Sequence, residues 1–183
     1  MQWRNTKEGF GWISIVLHWV TVPLVIFLLA CGIYMKTLDY YDPLYHQLPQ
    51  WHKTFGMLLG TLLLIRLGWI VISPAPTPIT PNLLQRWLAK GVHFGMYAML
   101  IVICFSGYLF TTADGKPMEL LGGIIVPNLV TVSEESVDLL GAIHRWISYG
   151  LGVLVALHAS AAIYHHLALH DNTFKRILFP KRN

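Results

Sequence analysis

Four long apolar stretches alternate with shorter polar ones along this chain. They cover roughly 13–35, 52–72, 92–110 and 139–164. A bilayer's hydrocarbon core is about 30 Å thick and takes about 20 helical residues to cross. The pattern therefore predicts four transmembrane helices, the second interrupted by Arg66. The connection after the second stretch holds "SPAPTPITP", whose prolines cannot continue a helix. The connection at 111–138 is acidic and holds the turn signal "TADGKP". No repeat of 20–50 residues and no low-complexity tract is evident. The expected fold is all-α: one integral membrane four-helix bundle over residues 1–183.

Lysine and arginine set the expected orientation. One side would carry Arg4, Lys7, Arg66, Arg86, Lys90, Lys175, Arg176, Lys181 and Arg182. The other would carry Lys36, Lys53, Lys116 and Arg145. The nine-residue side should be cytoplasmic, which places both termini inside. The outer side would also hold seven of the nine acidic residues.

No aspartate or glutamate falls within the four stretches, but histidines do. Ionisable groups inside a membrane are costly and point to function. His144 and His158 are fourteen residues apart. In a helix that step turns through about 1400°, so the side chains share a face within about 40°, about 21 Å apart. Antiparallel helices sort the histidines into levels. His52 and His144 fall on the outer level, and His18 and His158 on the inner one with His93 nearby. A single histidine at a helix end is readily explained as an interfacial hydrogen-bonding group; an ordered set is not. Two imidazoles facing each other across a bundle can hold one haem iron axially. Zinc would want about four protein ligands, and neither level offers a cysteine or carboxylate to complete them. A carboxylate proton relay is excluded. The spacing thus predicts two stacked haems, one near each membrane surface.

Other residues fit around that core. Arg66 follows His52 by fourteen residues and should reach the inner level, where a haem propionate would suit it; snorkelling to the interface is an equal alternative. Gly56, Gly60, Gly150 and Gly152 allow close approach of a macrocycle or of another helix. His165, His166 and His170 read as interfacial anchors, and His46 as solvated. Trp12, Trp19, Trp51, Trp69, Trp87 and Trp146 mark the interfaces.

Composition narrows the classes. The chain is 55% hydrophobic and 12% charged, against about 25% charged for a soluble domain. Its two cysteines lie singly in apolar runs, which excludes a disulfide framework, and the absence of Cys-x-x-Cys-His argues against covalent haem. The net charge of +4 forms no basic block, so nucleic acid is not an expected partner. The first apolar run is too long for a cleavable signal peptide.

The segments "SIVLHW", "LPQWHKTFGMLLGTLLLIRLGW", "VHFGMYAML" and "GAIHRW…VALHASAAIYHH" with "DNTFKRI" resemble the bacterial cytochrome b561 family, closest to its YceJ-type branch. The resemblance covers nearly the whole chain. It implies a four-helix cytochrome of the bacterial inner membrane with two haem b groups, His18 and His158 holding the inner one and His52 and His144 the outer one. It implies respiratory electron transport between an outer (periplasmic) redox partner and the quinone pool, ubiquinone being the candidate substrate. The alternative is a superoxide:ubiquinone oxidoreductase. A third, remoter reading is a haem-free, histidine-lined transporter. The acidic third loop is a candidate docking surface for the outer partner.

Overall fold

The computed structural model describes residues 2–180; Lys181 and Arg182, counted above for orientation, lie outside the described residues. Four long helices run Trp12–Met35 (α1), Gln47–Ile72 (α2), Leu83–Thr111 (α3) and Glu134–Leu167 (α4). All four are long and apolar enough to cross a membrane. Between α3 and α4 lies a small antiparallel ribbon, Met118–Glu119 (β1) against Ile125–Val126 (β2), so the fold is mostly rather than wholly helical. A single helical turn, Lys175–Leu178 (α5), follows α4.

Three helices begin earlier than the apolar pattern predicts. α2 starts five residues before His52 and α3 nine residues before 92, because helix formation needs satisfied backbone ends rather than hydrophobicity. Asn82 supplies that end for α3: its side chain accepts from the N–H groups of Leu84 (2.9 Å) and Gln85 (3.3 Å). Pro49 sits in the first turn of α2, where its missing N–H costs nothing. α4 starts with Glu134 and Glu135, whose charge suits the positive end of the helix dipole. At 34 residues it is about 51 Å long, so its ends project from the hydrocarbon. His52 and His93 therefore lie within their helices rather than opening them.

The helices pack as two hairpins. α3 with α4 makes the most extensive interface and α1 with α2 the next. The hairpins meet through α2–α3 and, more sparsely, α1–α4. Among the described residues, Val25, Leu28, Leu59, Leu63, Leu100 and Leu151 form a buried apolar cluster. Lipid is as apolar as leucine, so this cluster holds by close packing more than by expulsion of water. Glycines shorten the distances: Gly150 faces Met99, Gly152 faces Leu29 and Gly60 faces Cys104. Helix packing thus accounts for three of the four glycines singled out from the sequence. Gly56 has open space beside it.

At one end of the bundle the N-terminal segment, the α2–α3 connection and the C-terminal segment are tied together. Thr77 donates to Lys7 O (2.6 Å), Arg176 donates to Thr77 O (2.9 Å), and the Trp19 indole donates to Ile177 O (2.8 Å). Both ends of the chain thereby share one side with the proline-rich connection. Replacing Asn82 by Ala should lower the stability of the α3 start by about 1 kcal/mol, read as a lower midpoint of thermal unfolding in detergent; an unchanged midpoint would show that the cap contributes nothing.

Candidate functional site

Each long helix carries the same interval of fourteen residues, with a buried apolar residue at its midpoint. The series are His18, Val25, Gly32 on α1 and His52, Leu59, Arg66 on α2. On α3 and α4 they are His93, Leu100, Gly107 and His144, Leu151, His158. Val25, Leu59, Leu100 and Leu151 are all buried. Two turns of helix are about seven residues, so each series keeps to one face. Antiparallel packing then stacks three layers: a polar one of His18, Arg66, His93 and His158, an apolar middle one, and one of two histidines and two glycines; the first and last are called inner and outer after the orientation expected from charge.

In the outer layer the His52 and His144 rings meet edge to face, with centroids 6.1 Å apart and planes at 71°. A glycine on the neighbouring helix backs each ring. A Cβ on Gly32 would stand 3.5 Å from His52 Cε1, and one on Gly107 only 2.8 Å from His144 Cε1. The second is closer than atoms pack, so only glycine leaves room for that imidazole. His144 Nδ1 donates to Ile103 O at 2.9 Å, which fixes the ring and leaves Nε2 free. His52 Nδ1 is buried without a hydrogen-bond partner.

The inner layer is more crowded. Arg66 donates to His18 Nδ1 at 3.2 Å and lies over the Tyr97 ring at 5.5 Å. His158 packs edge-on against His93 at 5.0 Å, and His93 donates from Nδ1 to Ala89 O at 2.6 Å. His18 is within electrostatic range of both His158 and His93. The direct contacts are thus His18–Arg66 and His93–His158. Arg66 reaches this layer as its spacing predicted, turned toward a histidine rather than toward water.

His52 and His144 are the residues that would hold a metal in the outer layer. A first-row metal binds an imidazole nitrogen at about 2 Å, and the ring centre lies about 1 Å behind it, so two rings on opposite sides of one metal are centred about 6 Å apart. The observed 6.1 Å, the orphaned His52 Nδ1 and the space beside Gly56 all fit a flat group with iron at its centre.

The sequence profile of the family described as prokaryotic cytochrome b561 matches residues 9–180. This chain belongs to that family. The members of the family are haem b membrane cytochromes that transfer electrons. Cytochrome b561 homolog 2 of Escherichia coli K12 is 40% identical over 179 residues, covering 97% of this chain and 95% of that protein. Cytochrome b561 homolog 1 of the same organism is 28% identical over 94% of this chain and 98% of its own length. A protein named probable superoxide oxidase CybB, from Yersinia pestis, is 26% identical over 96% and 98%. The cytochrome's four matching series span nearly all of the region the profile covers.

Gly32 and Gly107 escaped the sequence reading, although the fourteen-residue interval from His18 and from His93 would have found them. Beyond the inner layer, His165 Nδ1 donates to Asp171 Oδ2 at 2.6 Å, so it is a paired group rather than a simple anchor. Burial works against ionisation of Asp171, but hydrogen bonds from His165 and Thr173 outweigh it and hold the carboxyl below its ordinary value. Its contribution to stability is therefore present at neutral pH and lost as pH falls through that lowered value. Changing Gly107 to Ala should push the His144 ring aside at a cost of about 1–3 kcal/mol, whereas Gly91→Ala, inside the same helix with nothing near its Cβ, should leave haem content unchanged and raise stability by up to about 1 kcal/mol. Thermal midpoint and haem content together check this; equal behaviour of the two variants would refute the role given to Gly107.

Proposed function

We propose that this protein carries two haem b groups and moves electrons across the bacterial inner membrane, between an outer redox partner and the quinone pool. The observation that carries the reading is the glycine-backed His52–His144 pair with ring centres 6.1 Å apart. His52 and His144 would hold the outer haem, and His18 and His158 the inner one, with Arg66 close enough to the inner layer to meet a propionate. Haem b, when bound through two imidazoles, supplies one-electron chemistry. The chain's part is to fix the rings, to keep water from the middle layer, and to set the two levels about 21 Å apart.

The purified protein should be red, with two non-covalent, six-coordinate, low-spin haems per chain, since two imidazoles fill both axial positions. His52→Ala or His144→Ala should disturb mainly one haem and His18→Ala or His158→Ala mainly the other, as read by visible and electron paramagnetic resonance spectra. A haem-to-protein ratio near one would refute the two-haem reading, and a colourless protein would favour the transporter. His93 meets His158 edge-on. If His93→Ala removes the inner haem and His18→Ala spares it, the inner pair is His93 and His158.

Both termini lie on the cytoplasmic side in this reading, on the asymmetry of nine basic residues to four. A reporter that folds only outside the cytoplasm should be inactive after Asn183 and active when inserted after Ser133. The reverse result overturns the orientation and exchanges the two haem levels.

Similarity to a protein named as a superoxide oxidase favours a second reading, oxidation of superoxide at the outer level. Rapid capture of a small anion needs a positive mouth. Of the outer cations, Lys116 is paired with Asp114 at 3.1 Å and Arg145 lies over Trp146. Hydrogen bonds from Lys116 hold the Asp114 carboxyl below its ordinary value, so that pair is neutral at working pH. Seven acidic residues share the outer side. Partner-linked transfer therefore ranks first. Stopped-flow reduction by superoxide should be slow; fast reduction that weakens with salt and with Lys53→Glu or Arg145→Glu would reverse the ranking.

A further inference from the structure

The connection between α3 and α4 has its charges at its two ends. Asp114, Lys116 and Glu119 precede its middle and Glu134 and Glu135 follow it; the fourteen residues 120–133 carry no charge. Within them Ile124, Ile125 and Leu129 are 60%, 67% and 75% exposed. This departs from the acidic docking surface expected of the loop.

Its attachments fix its depth. Leu121 N–H donates to Thr54 Oγ1 at 2.9 Å, and Gln50 donates to Glu119 O at 2.9 Å. Thr54 lies two residues deeper on α2 than His52. It is five residues, or about 7.5 Å, from Leu59 in the middle layer, inside the half-thickness of about 15 Å of a bilayer's hydrocarbon. On the other side, the Tyr108 hydroxyl donates to Pro127 O and accepts from Leu129 N–H, at 2.8 and 2.9 Å. The apolar tip thus stands at the level of the outer histidines, outside the bundle.

Part of the turn's backbone is paired within the protein. Beyond the β1–β2 pairs, Leu120 N–H donates to Ile124 O, Gly123 N–H to Leu120 O, and Leu121 N–H to the threonine. Gly122 and Gly123, with φ of 81° and 74°, allow the turn to close so tightly. A backbone that meets lipid must satisfy its own polar groups.

We propose that this hairpin lies in the membrane interface, with the side chains of Leu121, Ile124, Ile125 and Leu129 reaching the acyl chains of the leaflet on the His52–His144 side. It extends the lipid-facing surface of α2 and α3 sideways. The charges at its ends mark where the loop leaves the interface for water.

Spin labels at Ile124→Cys, Ile125→Cys and Leu129→Cys test this in the full-length protein in lipid nanodiscs. Lys116→Cys is the water-exposed reference and Leu64→Cys, on an exposed mid-span position of α2, the lipid reference. The unmutated protein, with Cys31 buried and Cys104 half-buried, gives the background. The hairpin labels should collide with oxygen more than with a water-soluble nickel chelate, as Leu64 does and Lys116 does not. Labels that resemble Lys116 overturn the proposal in favour of a loop in water. Labels shielded from both reagents overturn it in favour of a protein contact, with a second copy or a partner. The Leu129 position lies outside the tight turn and keeps the test open if the hairpin variants do not fold. The readout needs no haem.

Discussion

An imidazole inside a membrane has no water to satisfy it, and every polar feature of this bundle follows from that constraint. Each buried histidine must find its hydrogen-bond partner or its metal within the protein. His144 donates to the Ile103 carbonyl, the more exposed His93 donates to the Ala89 carbonyl, and His18 accepts a hydrogen bond from Arg66. His52 has its Nδ1 buried and unpartnered, and His158 meets His93 through a ring edge rather than a hydrogen bond. Such an orphan is costly unless a bound group settles the ring.

The same constraint explains the layered bundle. Polar groups confined to two levels leave the middle to Val25, Leu59, Leu100 and Leu151, which pack as a dry divider. Because helix–helix contact in lipid gains little from hydrophobicity, small residues carry much of the association. A Cβ added at Gly95 would stand 3.3 Å from Leu154 and one at Gly150 3.6 Å from Met99, so these glycines let α3 and α4 close on each other. The weaker seam between the two hairpins, α1 against α4 above all, is where flat groups would fit with least disturbance. Stability and cofactor binding therefore make opposite demands, tight within each hairpin and open between them.

Asymmetry between the two levels is the feature most relevant to function. The outer level is two rings and two glycines, a site built around one pair. The inner level adds a guanidinium, a tyrosine face and a third imidazole. A guanidinium bonded to a histidine at one level only favours reduction of a group bound there, so the two levels are electronically unequal even though the helices repeat the same interval. Directional electron flow needs such a difference.

The sequence by itself determined the spans, the family, and the two levels of histidines. Those rest on hydrophobic run length and on a fourteen-residue interval, both local along one helix. It also placed Arg66 at the inner level, because helical rise alone decides that. It could not determine which side chains meet. His93 against His158, Gly107 behind His144 and the apolar ribbon against Thr54 join residues from different helices or loops, and helix rotation and packing decide them. The early starts of α2 and α3 were hidden for a related reason: the apolar pattern reports where lipid lies, while Asn82 and the backbone decide where a helix begins. Tertiary structure alone turned four parallel intervals into two levels with unlike neighbours, because only packing brings the residues of one helix against those of the next.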